Sequence, residues 1–313
     1  MWTLKDKILA NLFARVAYTV LRLSCWKRKT VAANVCYTNA ALKNPPRYNE
    51  LLKNLTRHVG ELLFCFKFFK KLPHDFSQYP CRVCGFDFAI AKGSVVVLEK
   101  MRAGGIFLTA HYGNYEAMGP WLCCLGIPLV ASYIPVKPKW LNVILERKIR
   151  AVNGKSYSVN AKTPRDFMRL LDSRKLFCLL ADQDCRIPSA MEGLFLGRPV
   201  NVNPLPDFLL KHYPELPVYI CWIEEVGGTR CGTIETNKLH ILHAIEVKNE
   251  FEKESEHLKN PVSKNQLHVM SGTVISQFNK WLEERIAENP NLWYGFTHRR
   301  FFSCNPEIYH RDS

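Results

Sequence analysis

The chain has 313 residues, of which 47% are hydrophobic, so it contains enough apolar material for a packed core. This composition excludes a disordered chain, a collagen-like chain and a small scaffold that depends on disulfides. The formal net charge is +15, and residues 1–71 alone carry 14 Lys and Arg against three acidic residues. A net charge of +11 in this segment leaves only +4 for residues 72–313. A basic amino-terminal segment on a nearly neutral body indicates an anionic partner surface: phospholipid, nucleic acid or an acidic protein.

Twelve cysteines would suit a secreted disulfide scaffold only in a shorter chain with a signal peptide. The apolar stretch near the start is interrupted by Arg15 and Arg22, and its longest charge-free piece, Ile8–Ala14, is short for a signal-peptide core. We therefore expect mostly reduced, buried cysteines in a cytoplasmic compartment. The pair Cys81 and Cys84 lacks a second pair at zinc-finger spacing, which argues against a metal or redox site.

Residues 2–26 show helical periodicity with a broad apolar face, and Arg15 and Arg22 fall on one side of it. A central Arg costs about 2.5–3.5 kcal/mol in a membrane span, so an interfacial helix is favoured over a spanning one. The alternative is a basic helix packed on its own protein. Residues 47–71 predict a second helix with a basic end. We expect residues 1–75 to be a basic helical membrane-associating segment and residues 76–313 to be a separate α/β domain.

From residue 81 onward, short apolar strands alternate with helices. The predicted elements, in chain order, are strand 83–90, helix 94–103, strand 106–110, helix 121–126, strand 127–133, helix 140–152, helix 164–174, strand 176–181, helix 205–212, strand 217–222, one or two edge strands in 232–247, a polar loop 248–266 and helix 269–288. Gly119 and Pro120 predict an irregular first turn or a late start for the helix that contains Trp121. The alternation predicts an α/β fold with a mainly parallel central sheet flanked by helices.

His111 directly follows one predicted strand, and Glu116 lies five residues further on. Gly113 allows a tight turn between them, and Asn114 is a suitable N-cap for the next helix. In such a sheet, sites lie at the carboxyl ends of the strands. We predict that His111 is a general base whose tautomer and basicity are set by Glu116, with helix N–H groups for a developing oxyanion. The alternative is a structural His–Glu pair in the core.

A second strand end carries the acidic sequence Asp182-Gln183-Asp184. A D-x-D sequence can hold a divalent metal and a nucleotide-sugar diphosphate, as in glycosyltransferases. It can also orient a cation or a hydroxyl, or simply cap the next segment. The sequence contains no Gly-rich nucleotide-binding loop, which disfavours the metal interpretation.

The sequence from His111 to Glu116 resembles the H-x4-[ED] block of the lysophospholipid acyltransferase superfamily. In its fuller pattern the chain resembles the lipid A branch, the lauroyl/myristoyl (late) acyltransferases, through most of residues 81–302. The segments that carry this resemblance are Gly104–Glu116, Arg150 with Gly154, Asp182–Asp184, Phe195–Pro199 and Pro290–Phe301. The last segment has one more residue between Trp293 and His298 than the branch's pattern.

The resemblance implies a glycerolipid acyltransferase-like domain on the cytoplasmic face of a bacterial inner membrane. The donor would be a thioester on acyl carrier protein, and the acceptor a hydroxyl of a lipid A precursor. His111 would be the catalytic base and Glu116 its orienting residue, and Arg150, Asp182 and Asp184 would be substrate-binding residues. Acyl transfer from a thioester needs neither a metal nor another cofactor. The expected partners are acyl carrier protein, the lipid A precursor and an anionic membrane surface, with no nucleic acid.

Several aromatic side chains are candidates for an acyl groove: Tyr112, Tyr115, Trp121, Phe195 and Phe208. The basic run 298–300 is a candidate contact for a phosphate or a sugar carboxylate. Three other functions stay open. They are an acyltransferase acting on another glycolipid or a lysophospholipid, a metal-dependent glycosyltransferase that uses Asp182 and Asp184, and a non-enzymatic membrane or nucleic-acid binder. The near-neutral body and the lack of aromatics interleaved with charge disfavour nucleic acid.

Overall fold

The structure is a computed structural model that describes residues 4–83, 85–133, 142–143, 145–159, 161, 163–231, 234–236, 238–247 and 273–310. The predicted loop 248–266 and the second cysteine of the Cys81–Cys84 pair lie outside these residues. The α-helices are α1 Leu4–Leu23, α2 Arg28–Thr38, α3 Tyr48–Phe69, α4 Ser94–Met101, α5 Tyr115–Cys124, α6 Pro164–Asp172, α7 Leu205–His212 and α8 Val274–Glu288. The strands are β1 Cys81–Val83, β2 Phe86–Ile90, β3 Gly105–Thr109, β4 Leu129–Ser132, β5 Ala151–Val152, β6 Lys155–Ser156, β7 Ser158–Val159, β8 Leu176–Leu180, β9 Met191–Phe195, β10 Arg198–Val202, β11 Val218–Val226, β12 Thr229–Cys231, β13 Ile234–Thr236 and β14 Leu239–Val247.

Eight strands form the central sheet, in the order β1-β2-β14-β11-β3-β8-β4-β7. Neighbouring strands are parallel except in the pairs β1–β2 and β11–β14. Successive residues of β3 alternate between two cores, with Ile106 and Leu108 in one and Phe107 in the other. Helices α6, α7 and α8 pack on the first face, and α4 and α5 pack on the second. The predicted α/β fold with a mainly parallel sheet and flanking helices is therefore confirmed.

The strand β3 enters the sheet through a position that only glycine tolerates. Gly105 has φ +127°, and a Cβ atom there would lie 2.6 Å from the carbonyl oxygen of Pro217. A side chain would push β3 away from the start of β11, which is its parallel neighbour. This close approach sets β3 in the middle of the sheet, where all five of its residues are buried.

Several predicted elements differ from the structure. The predicted strand 83–90 is divided between the end of β1 at Val83 and the whole of β2, because Gly85 turns the chain with φ +78°. The expected edge strand β14 lies inside the sheet between β2 and β11. Residues 191–202 form the β9–β10 hairpin, and Ala151–Val152 pairs with β6 instead of ending a helix.

The helix α5 begins at Tyr115, six residues before its predicted start, and contains Pro120 inside it. Asn114 occupies the N-cap position as predicted, although its side chain makes no capping hydrogen bond there. The amide of Asn114 instead donates to Glu61 of α3, at 3.0 Å. The early start brings Glu116 into the first turn of the helix.

The amino-terminal helices pack on the α/β body. Gly60 of α3 lies against the backbone of Ala10 of α1, so closely that a Cβ atom at Gly60 would lie 2.5 Å from the Ala10 carbonyl oxygen. Val31 and Leu51 belong to the same core cluster as Ile106. Within the described ranges, no helix has by itself the length and composition to cross a membrane. The two segments Lys5–Leu23 and Arg28–Ala41 have that length and composition only when they are taken together, and the chain bends by 78° between them.

The cysteines do not follow the expected burial. Among the nine whose side chains the structure describes, Cys221 is buried, Cys25 and Cys36 are exposed, and the remaining six are half-buried. The expectation of mostly buried cysteines is therefore wrong for this part of the chain.

Candidate active site

The two reactive strand ends lie side by side because β3 and β8 are parallel neighbours. Their register places Thr109 opposite Leu180. His111 lies two residues beyond the end of β3, and Asp182 lies two residues beyond the end of β8. Parallel strands end at the same edge of a sheet, so the two side chains meet there.

His111 and Asp182 form a hydrogen-bonded pair in which Asp182 is buried and His111 is half-buried. His111 Nδ1 lies 2.8 Å from Asp182 Oδ1, and the backbone N–H of His111 donates to Asp182 Oδ2 at 3.1 Å. The indole N–H of Trp293 donates to the same Oδ2 at 2.9 Å. Both carboxylate oxygens thus accept from N–H donors. Because the carboxylate only accepts when ionised, His111 carries its proton on Nδ1 and presents Nε2 as the basic atom.

The charges of the pair shift both pKa values toward the ionised forms. Burial alone would raise the pKa of Asp182, but the charge and hydrogen bond of His111 and the Trp293 N–H outweigh it and lower that pKa to about 2. Burial alone would lower the pKa of His111, but the charge and hydrogen bond of Asp182 outweigh it, and the net shift is upward. The charge of Glu116 adds to this upward shift. His111 is therefore a stronger base than an ordinary histidine.

The carboxylate that orients His111 is Asp182 and not Glu116, which differs from the sequence expectation. Glu116 instead forms a bidentate ion pair with Arg150, with Nη2–Oε1 at 2.6 Å and Nε–Oε2 at 3.3 Å. Both side chains are about one-fifth exposed. The physical reason is reach: Glu116 lies in the first turn of α5, on the side facing Arg150, while Asp182 lies directly beside His111. The structure nevertheless brings all four predicted residues His111, Glu116, Arg150 and Asp182 to one edge of the sheet.

Asp184, the remaining predicted substrate residue, turns away from this group. Its Oδ2 accepts from Arg186 at 3.0 Å and from the hydroxyl of Ser303 at 2.9 Å. Asp182 is fully buried, and its two oxygens accept the three N–H donors described above. The two carboxylates thus face different partners, and a metal shared between them would have to displace those donors. The geometry does not support the glycosyltransferase-type use of Asp182 and Asp184.

The carboxyl-terminal segment holds the histidine loop from the other side. Tyr112 forms an isolated β-bridge with Trp293, and the N–H of Tyr294 donates to the carbonyl of His111 at 2.8 Å. In the sequence, Trp293 stands out only as part of a motif, and no local pattern signals this contact. Arg300 is buried and donates to the carbonyls of Gln183 and Asn201. It therefore supports the backbone beside Asp182, whereas His298 and Arg299 of the run 298–300 are exposed.

A cavity of about 930 Å³ opens in front of His111, at the carboxyl ends of β3, β4 and β8. Glu116, Arg150 and Gln183 also line it, and the amide nitrogen of Gln183 lies 3.3 Å from His111 Nε2. The other walls are mostly apolar and include Phe107, Met118, Leu129, Tyr133, Tyr157, Phe167, Leu179, Leu180, Ile187, Leu205 and Phe208. The arrangement is one basic nitrogen and one ion pair in the wall of a mostly apolar cavity.

Two of the five aromatic candidates for an acyl groove line this cavity, namely Tyr115 and Phe208. The other three are core residues: Tyr112 donates to the carbonyl of Arg285, Trp121 donates to Tyr79, and Phe195 packs against Trp293. In the sequence, Gln183 is only the middle residue of the D-x-D pattern. Its position next to a strand-end aspartate was the signal that could have found it.

A buried charge cluster supports the histidine loop from the α3 side. Arg57 bridges Glu61 and Glu225, at 3.2 and 2.7 Å, and His58 lies 3.1 Å from Glu225. His58 Nδ1 is hydrogen-bonded to the hydroxyl of Tyr294. Burial and then the charge of Arg57 lower the pKa of His58, so it is neutral at pH 7. The ligand atoms of His58, Glu61 and Glu225 lie within 4.8 Å of one another, but the Arg57 guanidinium already supplies the positive charge among them.

Neither a protein-family model nor a curated protein matches this sequence. Among solved structures, the chain is similar to the crystal structure of the 1-acyl-sn-glycerophosphate (LPA) acyltransferase, PlsC, from Thermotoga maritima. The two share 14% sequence identity with a TM-score of 0.34, over 90% of this chain and 96% of that chain. A similarity with so low a TM-score supports no conclusion about function. Any functional assignment therefore depends on the geometry of the site.

Proposed function

We propose that the chain is an O-acyltransferase that moves a fatty acyl group from a thioester to a lipid hydroxyl. The observation that carries the proposal is the position of His111: its Nδ1 is held by a buried, ionised Asp182, and its ring lines a mostly apolar cavity. A histidine that is oriented in this way is a general base. The apolar walls suit an acyl chain, since each buried CH₂ contributes about 0.8 kcal/mol.

In the proposed reaction, His111 Nε2 takes the proton of the acceptor hydroxyl while the oxygen of that hydroxyl attacks the carbonyl carbon of the thioester. The tetrahedral oxyanion collapses, the C–S bond breaks, and the imidazolium returns the proton to the leaving thiolate. The charge of Asp182 stabilises the imidazolium between these two steps. The first turn of α5 leaves backbone N–H groups without partners inside the helix, and with the Gln183 amide they are the donors proposed for the oxyanion.

The finer assignment is acyl carrier protein as donor, a lipid A precursor as acceptor and the cytoplasmic face of a bacterial inner membrane as location. It is supported by the ordered motif set from Gly104 to Phe301 and by the +11 net charge of residues 1–71. That charge suits both an acidic carrier protein and an anionic bilayer. A second acceptor class, a lysophospholipid or another glycolipid, fits the same cavity, because the Glu116–Arg150 pair at its head is not specific for one headgroup.

Membrane association is proposed to occur through α1. One face of α1 packs on α3 through Ala10 and Phe13. A neighbouring face carries an exposed apolar stripe at helical spacing, which we call the α1 stripe: Ile8, Leu12, Val16, Val20 and Leu23, with exposures from 43% to 78%. Such a stripe beside basic residues is typical of a helix that lies in a lipid interface.

The test of the reaction uses the purified protein with an acyl carrier protein thioester and, separately, an acyl-CoA. The acceptors are a lipid A precursor and lysophosphatidic acid, and products are identified by mass spectrometry. We expect acyl transfer to one acceptor class, and His111→Gln should lose about 10²–10⁴-fold in rate while remaining folded. A folded His111→Gln protein with unchanged acyl transfer, or a wild-type protein that transfers no acyl group to any of these acceptors, would refute the proposal.

The test of the membrane surface is vesicle sedimentation of the double variant Leu12→Glu/Val16→Glu, which puts two charges into the α1 stripe. It should bind anionic vesicles more weakly than the wild type. The matched comparison is between the single changes Val16→Glu and Val96→Glu, because Val96 is about as exposed, at 60%, as Val16, at 57%, but lies on α4. Equal effects of the two changes would contradict an interface at α1.

A further inference from the structure

The cavity in front of His111 is lined from both faces of the central sheet. Cys178 and Leu179 are consecutive residues of β8, so their side chains point to opposite faces, yet both line this cavity. Cys178 packs against the second core, and Leu179 packs against the first. A cavity that touches both residues has to pass from one face of the sheet to the other.

The strands β4 and β8 separate at the point where the cavity crosses the sheet. Their register ends with the pair Ala131 and Cys178, whereas β8 stays paired with β3 as far as Leu180. Ser132 and Leu180, which lie beyond that last pair, both line the cavity. Within the described strands, the gap between the ends of β4 and β8 is therefore part of the cavity.

Each face of the sheet contributes an apolar wall to the cavity. The second-face wall consists of buried residues of the second core: Phe107, Met118, Leu129 and Tyr157. The first-face wall comes from β8 and from helices α6 and α7: Phe167, Leu179, Leu205 and Phe208. His111 and Gln183 follow the ends of β3 and β8, at the edge of the sheet that separates the two faces. The basic nitrogen of His111 therefore lies between two apolar walls.

Two apolar walls beside one base indicate two apolar ligands. The volume of about 930 Å³ is near the upper end of the range of about 300–1,000 Å³ that is usual for ligand pockets. Acyl transfer joins two substrates at the histidine, and the chain of one bound thioester can follow only one face of the sheet from there. We propose that the first-face wall binds the acyl chain of the donor and that the second-face wall binds an acyl chain that the acceptor itself carries.

This inference rests on the proposed acyl transfer and narrows its acceptor class. The acceptor is a lipid whose own chain lies close to the reacting hydroxyl, and not a chain-free sugar or glycerol phosphate. The two faces are assigned from their polar and exposed groups. Glu116, which pairs with Arg150, belongs to α5, the helix that also carries Met118 of the second-face wall. An ion pair beside an apolar wall suits an acceptor, which brings a polar headgroup and a chain together.

The first-face wall suits the donor because part of it is accessible from the surface. Phe208 is 37% exposed, so it offers an apolar contact to a chain that leaves a carrier protein. The residues of the second-face wall are buried, and a chain bound there is removed from water. Each CH₂ group that is buried in this way is worth about fourfold in affinity.

The experiment uses the purified full chain and varies the two acyl chains independently. The donors are thioesters of increasing chain length. The acceptors are lysophosphatidic acids of increasing chain length, kept below the concentration at which they form micelles, and glycerol 3-phosphate as their chain-free counterpart. If the wild type uses a lipid A precursor instead, that precursor and its deacylated form replace them. We expect kcat/KM to be at least about 10²-fold lower for the chain-free acceptor, because several buried CH₂ groups together give this factor.

Two large-to-small variants separate the two walls. Phe208→Ala should move the preferred donor to longer chains and leave the dependence on the acceptor chain unchanged. Met118→Ala should move the preferred acceptor to longer chains and leave the dependence on the donor chain unchanged. Because Met118 is buried, its truncation also costs stability. Ala131→Val adds volume on the same face and is the second variant there; it should move the preferred acceptor to shorter chains.

The outcomes distinguish a failure of this inference from a failure of the proposed function. A wild type that acylates the chain-free acceptor as efficiently as the lipid overturns the inference and leaves acyl transfer intact. The inference is also overturned if Phe208→Ala and Met118→Ala change the chain-length profile of the same substrate, or if neither changes a profile. Exchanged effects of the two variants would overturn the assignment of the chains to the faces. A wild type that transfers no acyl group refutes the proposed function itself.

Discussion

Replacing Asp182 by Asn tests the assignment of the catalytic histidine most directly. All three contacts of this carboxylate are N–H donors: His111 Nδ1–H to Oδ1, and the His111 backbone N–H and the Trp293 indole N–H to Oδ2. An Asn side chain has one oxygen and one NH₂ group. The oxygen is needed where two donors converge, so the NH₂ must face His111 Nδ1. That contact forces the imidazole proton onto Nε2, the atom that should accept a proton from the acceptor.

The magnitude follows from two effects. The pKa of Asp182 is about 2, almost two units below the ordinary value, which corresponds to about 2–3 kcal/mol in favour of the charged carboxylate beside its donors. A transition state that contains an imidazolium loses much of this stabilisation in the variant. The wrong tautomer adds the loss of the general base itself, and the combined fall in kcat should be about 10²–10⁴-fold.

The assay is the pH dependence of acyl transfer by wild type and Asp182→Asn. In the wild type the rate should rise with pH as His111 loses its proton, with an inflection above the ordinary histidine pKa of about 6.5, because Asp182 raises the pKa of His111. In the variant the inflection should move to lower pH, a shift that a merely structural role would not cause. Asp172→Asn, an exposed aspartate that accepts from Tyr213, is the control. A folded Asp182→Asn protein with near-wild-type kcat and an unmoved inflection would refute the reasoning.

Three further predictions concern stability and are measured by thermal or denaturant unfolding. Glu225→Gln leaves buried Arg57 without its main partner and should cost about 3–5 kcal/mol of stability. Burial alone would raise the pKa of Glu225, but His58 and Arg57 hold that pKa well below the usual range, so the stability of the wild type should fall as the pH drops below about 4.3. A Glu225→Gln protein with the same sensitivity to acid would contradict this. Arg150→Met should destabilise more than Arg150→Met/Glu116→Gln, since the double change leaves no unpaired charge, and additive losses would argue against the ion pair. Burial raises the pKa of Asp207 to about 6, so Asp207→Asn should stabilise the protein by up to about 3 kcal/mol above pH 6 and should have no such effect below pH 4. A gain in stability that does not depend on pH would exclude the ionisation of Asp207 as its cause.

The edge of the sheet at which the site lies could be predicted from the sequence, but the partner of His111 could not. Short apolar strands that end in His111 and Asp182 placed both residues at the carboxyl edge of the sheet. Choosing between Glu116 and Asp182 requires knowing that β3 and β8 are neighbours and that Thr109 lies opposite Leu180. That is a long-range register, set by packing across the sheet, and periodicity along the chain contains no information about it.

The errors in element boundaries have local physical causes. Pro120 suggested that α5 starts late, because proline inside a helix removes a backbone hydrogen bond. In the structure Pro120 lies in the second turn of α5, which therefore lacks one backbone hydrogen bond. The side of the helix that contains Ala117, Met118 and Trp121 is buried in the core. Burial of this face outweighs one missing hydrogen bond, since each large apolar side chain contributes about 1.5–3 kcal/mol. Helix propensity alone underestimates a helix that is held by its core.

The histidine loop is held from three directions, and this constrains where substrate selectivity can reside. Asp182 fixes the His111 ring, the Tyr294 N–H fixes its carbonyl, and the Asn114 amide ties the loop to Glu61 of α3. A general base displaced by about 1 Å can lose about 10²-fold in rate, so these contacts leave little room for change in the loop itself. In the proposed reaction, selectivity for the length of the acyl chain therefore has to come from side chains that the loop does not position, such as the apolar cavity walls around Phe208.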